Sequence, residues 1–158
     1  MIPDWSWIIT PDAIVVLTRL ENGKFLVFRQ RKYAVNGISY APVGGMLEPE
    51  EEPLSAAKRE LLEEMGCQAG AWIPLGSFIM DASHGVAMIH LFLALKARKV
   101  AIPISDDLED QELLILDRNE LSRALFSGKF KEITWSAVVS LALNYLSQGN
   151  HDLPEVGK

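Results

Sequence analysis

Residues 45–67 read GMLEPEEEPLSAAKRELLEEMGC, and this stretch decides the fold. Pro49 and Pro53 stop any helix in its acidic first half. The apolar spacing after them predicts a helix from Leu54 to Met65, ended by Gly66 in a position suited to a left-handed cap. At about 100° per residue, Glu60, Glu63 and Glu64 fall within roughly 100° of one another. Leu54, Leu61 and Met65 cluster on the opposite side, and Leu62 extends that apolar face. One face is therefore built to pack while the other gathers three carboxylates. Like charges at this spacing destabilise an isolated helix by about a few tenths of a kcal/mol per pair. A divalent cation reverses that sign, and hard oxygen ligands of this kind suit Mg²⁺ or Mn²⁺. Glu51, eight positions before Arg59, is placed to form a paired strut that ties the loop to the helix. Gly44-Gly45 lets the backbone turn sharply and leaves a carbonyl for a metal shell.

Outward from this segment the chain alternates between strand and turn signals. Ala13 to Arg19 and Lys24 to Gln30 read as two strands, joined by a hairpin turn at Asn22-Gly23. A basic loop, Arg29 to Lys32, follows, and Tyr40 to Val43 is short and extended. Trp72 to Met80 and Val86 to Lys96 read as strands around the turn Asp81 to Gly85. An acidic loop at Ile104 to Gln111 leads to a last strand, Glu112 to Leu116. Trp135, Val138, Val139, Ala142, Tyr145 and Leu146 recur at helical spacing and predict a helix over Thr134 to Leu146. The result is one mixed α/β domain over residues 1–158, with its core at about 12–147.

Composition narrows the class. With 158 residues, 49% hydrophobic and 23% charged, the chain has ample apolar material for one packed domain, which excludes a disordered chain. A net charge of −6 opposes general binding to nucleic acid, which needs clustered Lys and Arg. The longest apolar stretch, Val86 to Ala97, carries His90 and Lys96 and is too short to span a membrane. Met1 to Trp7 contains Asp4 and no basic region, unlike a secretory leader. A single cysteine, Cys67, fits a reducing compartment, so a cytoplasmic location is expected.

The segment Gly45–Cys67 resembles the Nudix box, G-x5-E-x7-R-E-U-x-E-E-x-G-U with U apolar, at every specified position. With common residues at about 7% each, seven fixed positions arise by chance in fewer than roughly one window in ten million. The resemblance implies an α/β/α sandwich around a mixed sheet, and metal-assisted hydrolysis of a nucleoside diphosphate linked to another group. It implies Glu60 and Glu64 as main metal ligands, with Glu63 in the same shell, the Gly44 carbonyl contributing, and Glu51 paired with Arg59. DAIVVLTRLENGKFLVFRQRKYAV, IHLFLALKA and GKFKEITWSAVVSLALNYL are similar to the ADP-ribose pyrophosphatase branch of the family. In that branch the general base often lies on a late acidic loop, which points to Glu109, with Glu112 second. A homodimer is the family-like expectation.

Some positions depart from that branch. Tyr40 and Ala82 stand where it usually has Glu and Pro, and about eleven residues precede Asp12, so an adenine clamp from that region would need Trp5 or Trp7. The alternatives are a house-cleaning nucleoside triphosphate pyrophosphatase and a Nudix-fold binding module without turnover. Arg29, Arg31 and Lys32 are either a solvated loop or a phosphate clamp. Tyr40 and His84 are the other candidate substrate contacts, His84 reading equally as a surface histidine. His90 and Trp135 are expected in the core.

Overall fold

The computed structural model describes residues 2, 4–104 and 111–149. Among them the chain forms β1 (Ala13–Leu20), β2 (Phe25–Arg31), β3 (Ile38–Ala41), β4 (Val43–Met46), α1 (Pro53–Met65) and β5 (Cys67–Gln68). β6 (Ala71–Asp81), β7 (Val86–Lys99), β8 (Gln111–Leu116), α2 (Arg118–Phe126) and α3 (Ile133–Ser147) follow. β1 is buried over five consecutive residues, as expected of a strand covered on both faces. Its odd positions, Val15 and Leu17, join a core with Phe25, Val27, Leu121, Val138 and Ala142. Its even positions, Ile14 and Val16, join a second core with Leu26, Phe28, Ala57, Leu61 and Met65. The sheet therefore lies between α1 on one side and α2 with α3 on the other. β1 runs parallel to β7 and antiparallel to β2 and β4, which makes the sheet mixed.

The strand pairing opens a cleft. β1 meets β2 only at Thr18↔Leu26 and Arg19↔Phe25. Its first half pairs instead with β4, from Ala13↔Met46 to Val16↔Val43. β2 continues away between β3 and β8. The two walls share one end and splay toward the other.

α1 begins one residue earlier than the apolar spacing indicates. Pro53 occupies the first helical turn, where its missing N–H costs nothing. At the other end Gly66 has φ 63° and donates its N–H to the Leu61 and Leu62 carbonyls. A Cβ there would lie 2.2 Å from the Ala101 carbonyl oxygen, so both conformation and space demand glycine. The sequence reading contains neither β5 nor α2. β5 has only two residues. α2 announces itself through a reciprocal capping box, with Asp117 accepting from the Glu120 amide and Glu120 reaching back to the Asp117 amide.

Candidate active site

Arg59 is the hub of the site. Its Nε and Nη2 donate to the two oxygens of Glu51, both at 2.9 Å, a bidentate pair that pins the loop before α1 to the helix. Nη2 also reaches the Met46 carbonyl at 3.2 Å, so the same guanidinium grips the end of β4. Nη1 donates to Glu60 Oε1 at 2.6 Å and to Glu63 Oε2 at 3.2 Å. One cation thus lets carboxylates on consecutive turns sit together. The Arg59 guanidinium, helped by the Glu48 amide, holds the Glu51 carboxyl down at about 2. Burial pushes Glu60 upward, against the pull of Arg59.

Glu60 is also held by backbone. A Cβ at Gly45 would fall 2.0 Å from Glu60 Oε1, so the carboxylate occupies the space that a side chain would take. Gly44 is tight as well, its Cβ position lying 3.0 Å from the Ile14 carbonyl. Glu64, one turn beyond Glu60, lines a cleft of about 370 Å³ together with Gly44, Gly45, Gln30, Lys32 and Trp135. Glu63 is the outermost of the three, its side chain 49% exposed. Among the described residues no three His, Cys, Asp or Glu side chains stand ready as a cation cage, because Arg59 engages Glu60 and Glu63. The donor set nevertheless suits a hard divalent ion: a partly desolvated carboxylate in Glu60, a second in the cleft wall in Glu64, and the Gly44 carbonyl between them in the fold.

Strand parity sorts the remaining candidates. Phe28, Gln30 and Lys32 share one face of β2 and line the cleft. Arg29 and Arg31 alternate to the opposite face. Arg29 pairs with Glu112 Oε2 at 3.2 Å across the β2–β8 register, so both lie away from the cleft. Tyr40, opposite Arg29 on β3, packs edge-on against Phe130 at 6.0 Å. These four expected site residues are turned from the cleft for one reason: a period of two sends neighbours to opposite faces. Glu109 lies outside the described residues. His84 sits on the β6–β7 turn, its Nδ1 2.7 Å from Asp81 Oδ2, with Trp5 stacked on its ring.

Two core expectations need correction. His90 is only half-buried, because its ring meets the Ser77 hydroxyl, 2.8 Å from Nδ1, on the neighbouring strand. Trp135 is half-buried at the start of α3 and faces the cleft, since it lies where the two cores meet. Gln30, Gln111, Glu132 and Thr134 also line the cleft and were not anticipated. Gln30 was recoverable from its parity with Lys32. The others come from distant segments. Cys67 is buried beside α1, and that burial raises its thiol, which leaves it unreactive.

A loop strutted by Glu51 and Arg59, a glycine pair under Glu60, and a helix of carboxylates along a cleft define a class. The chain belongs to the NUDIX domain family, which matches residues 9–135. It is similar to the ADP-ribose pyrophosphatase of Bacillus subtilis (strain 168), 26% identical over 136 residues, covering 86% of this chain and 72% of the relative. A solved ADP compounds hydrolase superposes with a TM-score of 0.77 at 18% identity, covering 88% of this chain and 74% of that one. The E. coli ORF135 protein does so at 0.67 and 17% identity, covering 96% and 99%. A structure from work on MutT of Aliivibrio salmonicida and Vibrio cholerae gives 0.62 and 15%, covering 84% and 97%. These structural likenesses speak for the fold.

Proposed function

We propose that this protein is a pyrophosphohydrolase that cleaves the pyrophosphate of a nucleoside diphosphate linked to a second group, with ADP-ribose or a related nucleotide sugar as substrate. The observation that carries the reading is Glu60, seated in the space above Gly45 and gripped by an arginine that is itself locked by Glu51. So many constraints on one carboxylate are costly for a surface helix and sensible for a ligand that must hold its position. The Bacillus relative, an ADP-ribose pyrophosphatase, supports the substrate class.

The reading includes Mg²⁺ or Mn²⁺, held by Glu60 and Glu64 with Glu63 and the Gly44 carbonyl. Such an ion supplies neutralisation of the pyrophosphate charge and a more acidic attacking water. The chain's own residues do the rest. Arg59 keeps Glu60 and Glu63 ionised and oriented, and Glu51 keeps Arg59 in place. Lys32, across the cleft from Glu64, offers a positive charge to the phosphates. Glu109 is the proposed general base, because Glu112 is occupied by Arg29. We assign the protein to the cytoplasm, in keeping with its unpaired Cys67. A homodimer would cover the exposed Phe78, Ile79 and Met80 on β6, and sedimentation at micromolar concentration checks it.

The test is a panel of nucleotide sugars, dinucleotides and triphosphates with each metal, with products identified. ADP-ribose should give AMP and ribose 5-phosphate. Release of inorganic pyrophosphate from triphosphates alone would replace this reading with a triphosphate pyrophosphatase. Glu64→Gln should lower kcat by about 10²- to 10⁴-fold with an unchanged circular dichroism spectrum. Near-normal turnover by that variant would remove Glu64 from the metal shell.

A further inference from the structure

Gln30 is 5% exposed, and what exposure it has opens on the cleft. Among the described residues its carboxamide has no hydrogen-bond partner. The indole N–H of Trp135, on the facing wall, has none either. A buried amide without partners costs free energy, and a half-buried tryptophan normally finds an acceptor. Two such groups on one cleft are a site awaiting a ligand.

The surroundings select the ligand's chemistry. Phe28, Ala41, Pro42 and Ile89 make this end of the cleft apolar. The Glu132 carboxylate, which caps α3 through the Thr134 and Trp135 amides, adds negative charge beside it. A phosphate here would lose its water with little to replace it. A sugar would match the amide but offers no flat face to the indole. A nucleobase meets both demands, with a planar π-face for Trp135 and adjacent donor and acceptor atoms for an amide.

We propose that Gln30 is a base-reading residue: its carboxamide pairs with the edge of the substrate's nucleobase while Trp135 stacks on the ring. This rests on the nucleoside diphosphate reading above and adds the part of the cleft that recognises the base.

Binding of AMP, GMP and ribose 5-phosphate in EDTA, followed by calorimetry, tests the proposal without turnover. Gln30→Met removes the amide and keeps its bulk. It should weaken AMP by about tenfold or more, leave ribose 5-phosphate within about twofold, and leave Tm equal or higher, because an unpaired buried amide is replaced by an apolar group. Gln30→Glu presents acceptors only, which suit the paired N1 and N2 donors of guanine. It should shift the AMP-to-GMP preference toward GMP by about tenfold. Parent-like AMP binding by Gln30→Met, or equal loss of AMP and ribose 5-phosphate, overturns the proposal. So does an unchanged base preference in Gln30→Glu. If AMP binding depends on Gln30 yet no pyrophosphate substrate is turned over, the hydrolase reading fails and this one stands. If ADP-ribose is hydrolysed and AMP binding is indifferent to Gln30, the reverse holds.

Discussion

Gly45 and Glu51 carry the finest constraints in the molecule, and both act through Glu60 and Arg59. Gly45→Ala places a methyl 2.0 Å from Glu60 Oε1, so the carboxylate must swing out or β4 must shift. We expect a loss of about 1–3 kcal/mol in urea unfolding together with a collapse of metal-dependent turnover. Retained turnover with normal stability would mean that the Glu60 position is not required. Glu51 makes a pH prediction. Its folded pKa, about 2, lies below the ordinary 4.5, so its contribution to stability is complete above 4.5. That contribution drains away as pH falls from 4.5 toward 2. Glu51→Gln should therefore be less stable than the parent at neutral pH, with the gap closing toward pH 2 in thermal melts. A constant gap would assign the Glu51 effect to packing.

At the scale of elements, the two ends of the helices behave differently. Gly66→Ala strains a left-handed cap and drives a methyl against the Ala101 carbonyl. Its cost should exceed the roughly 1 kcal/mol that glycine's conformational freedom alone supplies, and α1 should fray earliest in hydrogen exchange. Asp117→Ala removes half of the α2 capping box, on the face away from α1. About 1 kcal/mol of stability should go while kcat/KM holds, and a fall in kcat/KM would reveal coupling between α2 and the cleft. α1 was legible in the chain because proline, leucine spacing and glycine all mark it within fourteen residues. α2 escaped the reading because nine residues with two buried side chains leave a weak period, and only the Asp117–Glu120 pairing betrays it.

The whole molecule places one helix on each side of a question about burial. Leu61 is fully buried under the sheet on the α1 side, and Leu61→Ala should cost about 2–5 kcal/mol. Because Glu60 and Glu64 flank it on the same helix, turnover near the melting range should fall with it.

The carboxylate face of α1, the Glu51–Arg59 strut and the need for Gly45 and Gly66 are properties of local spacing. A helix repeats every 3.6 residues whatever surrounds it, so the chain by itself determined them. Membership of the cleft was settled by tertiary structure alone. The splay of β1 from β2, the parity that sends Gln30 and Lys32 inward and Arg29, Arg31, Tyr40 and Glu112 outward, and the arrival of Trp135 from α3 all depend on pairings between distant residues. A one-residue change of register would exchange those two sets, and nothing within a single strand fixes which set faces the cleft.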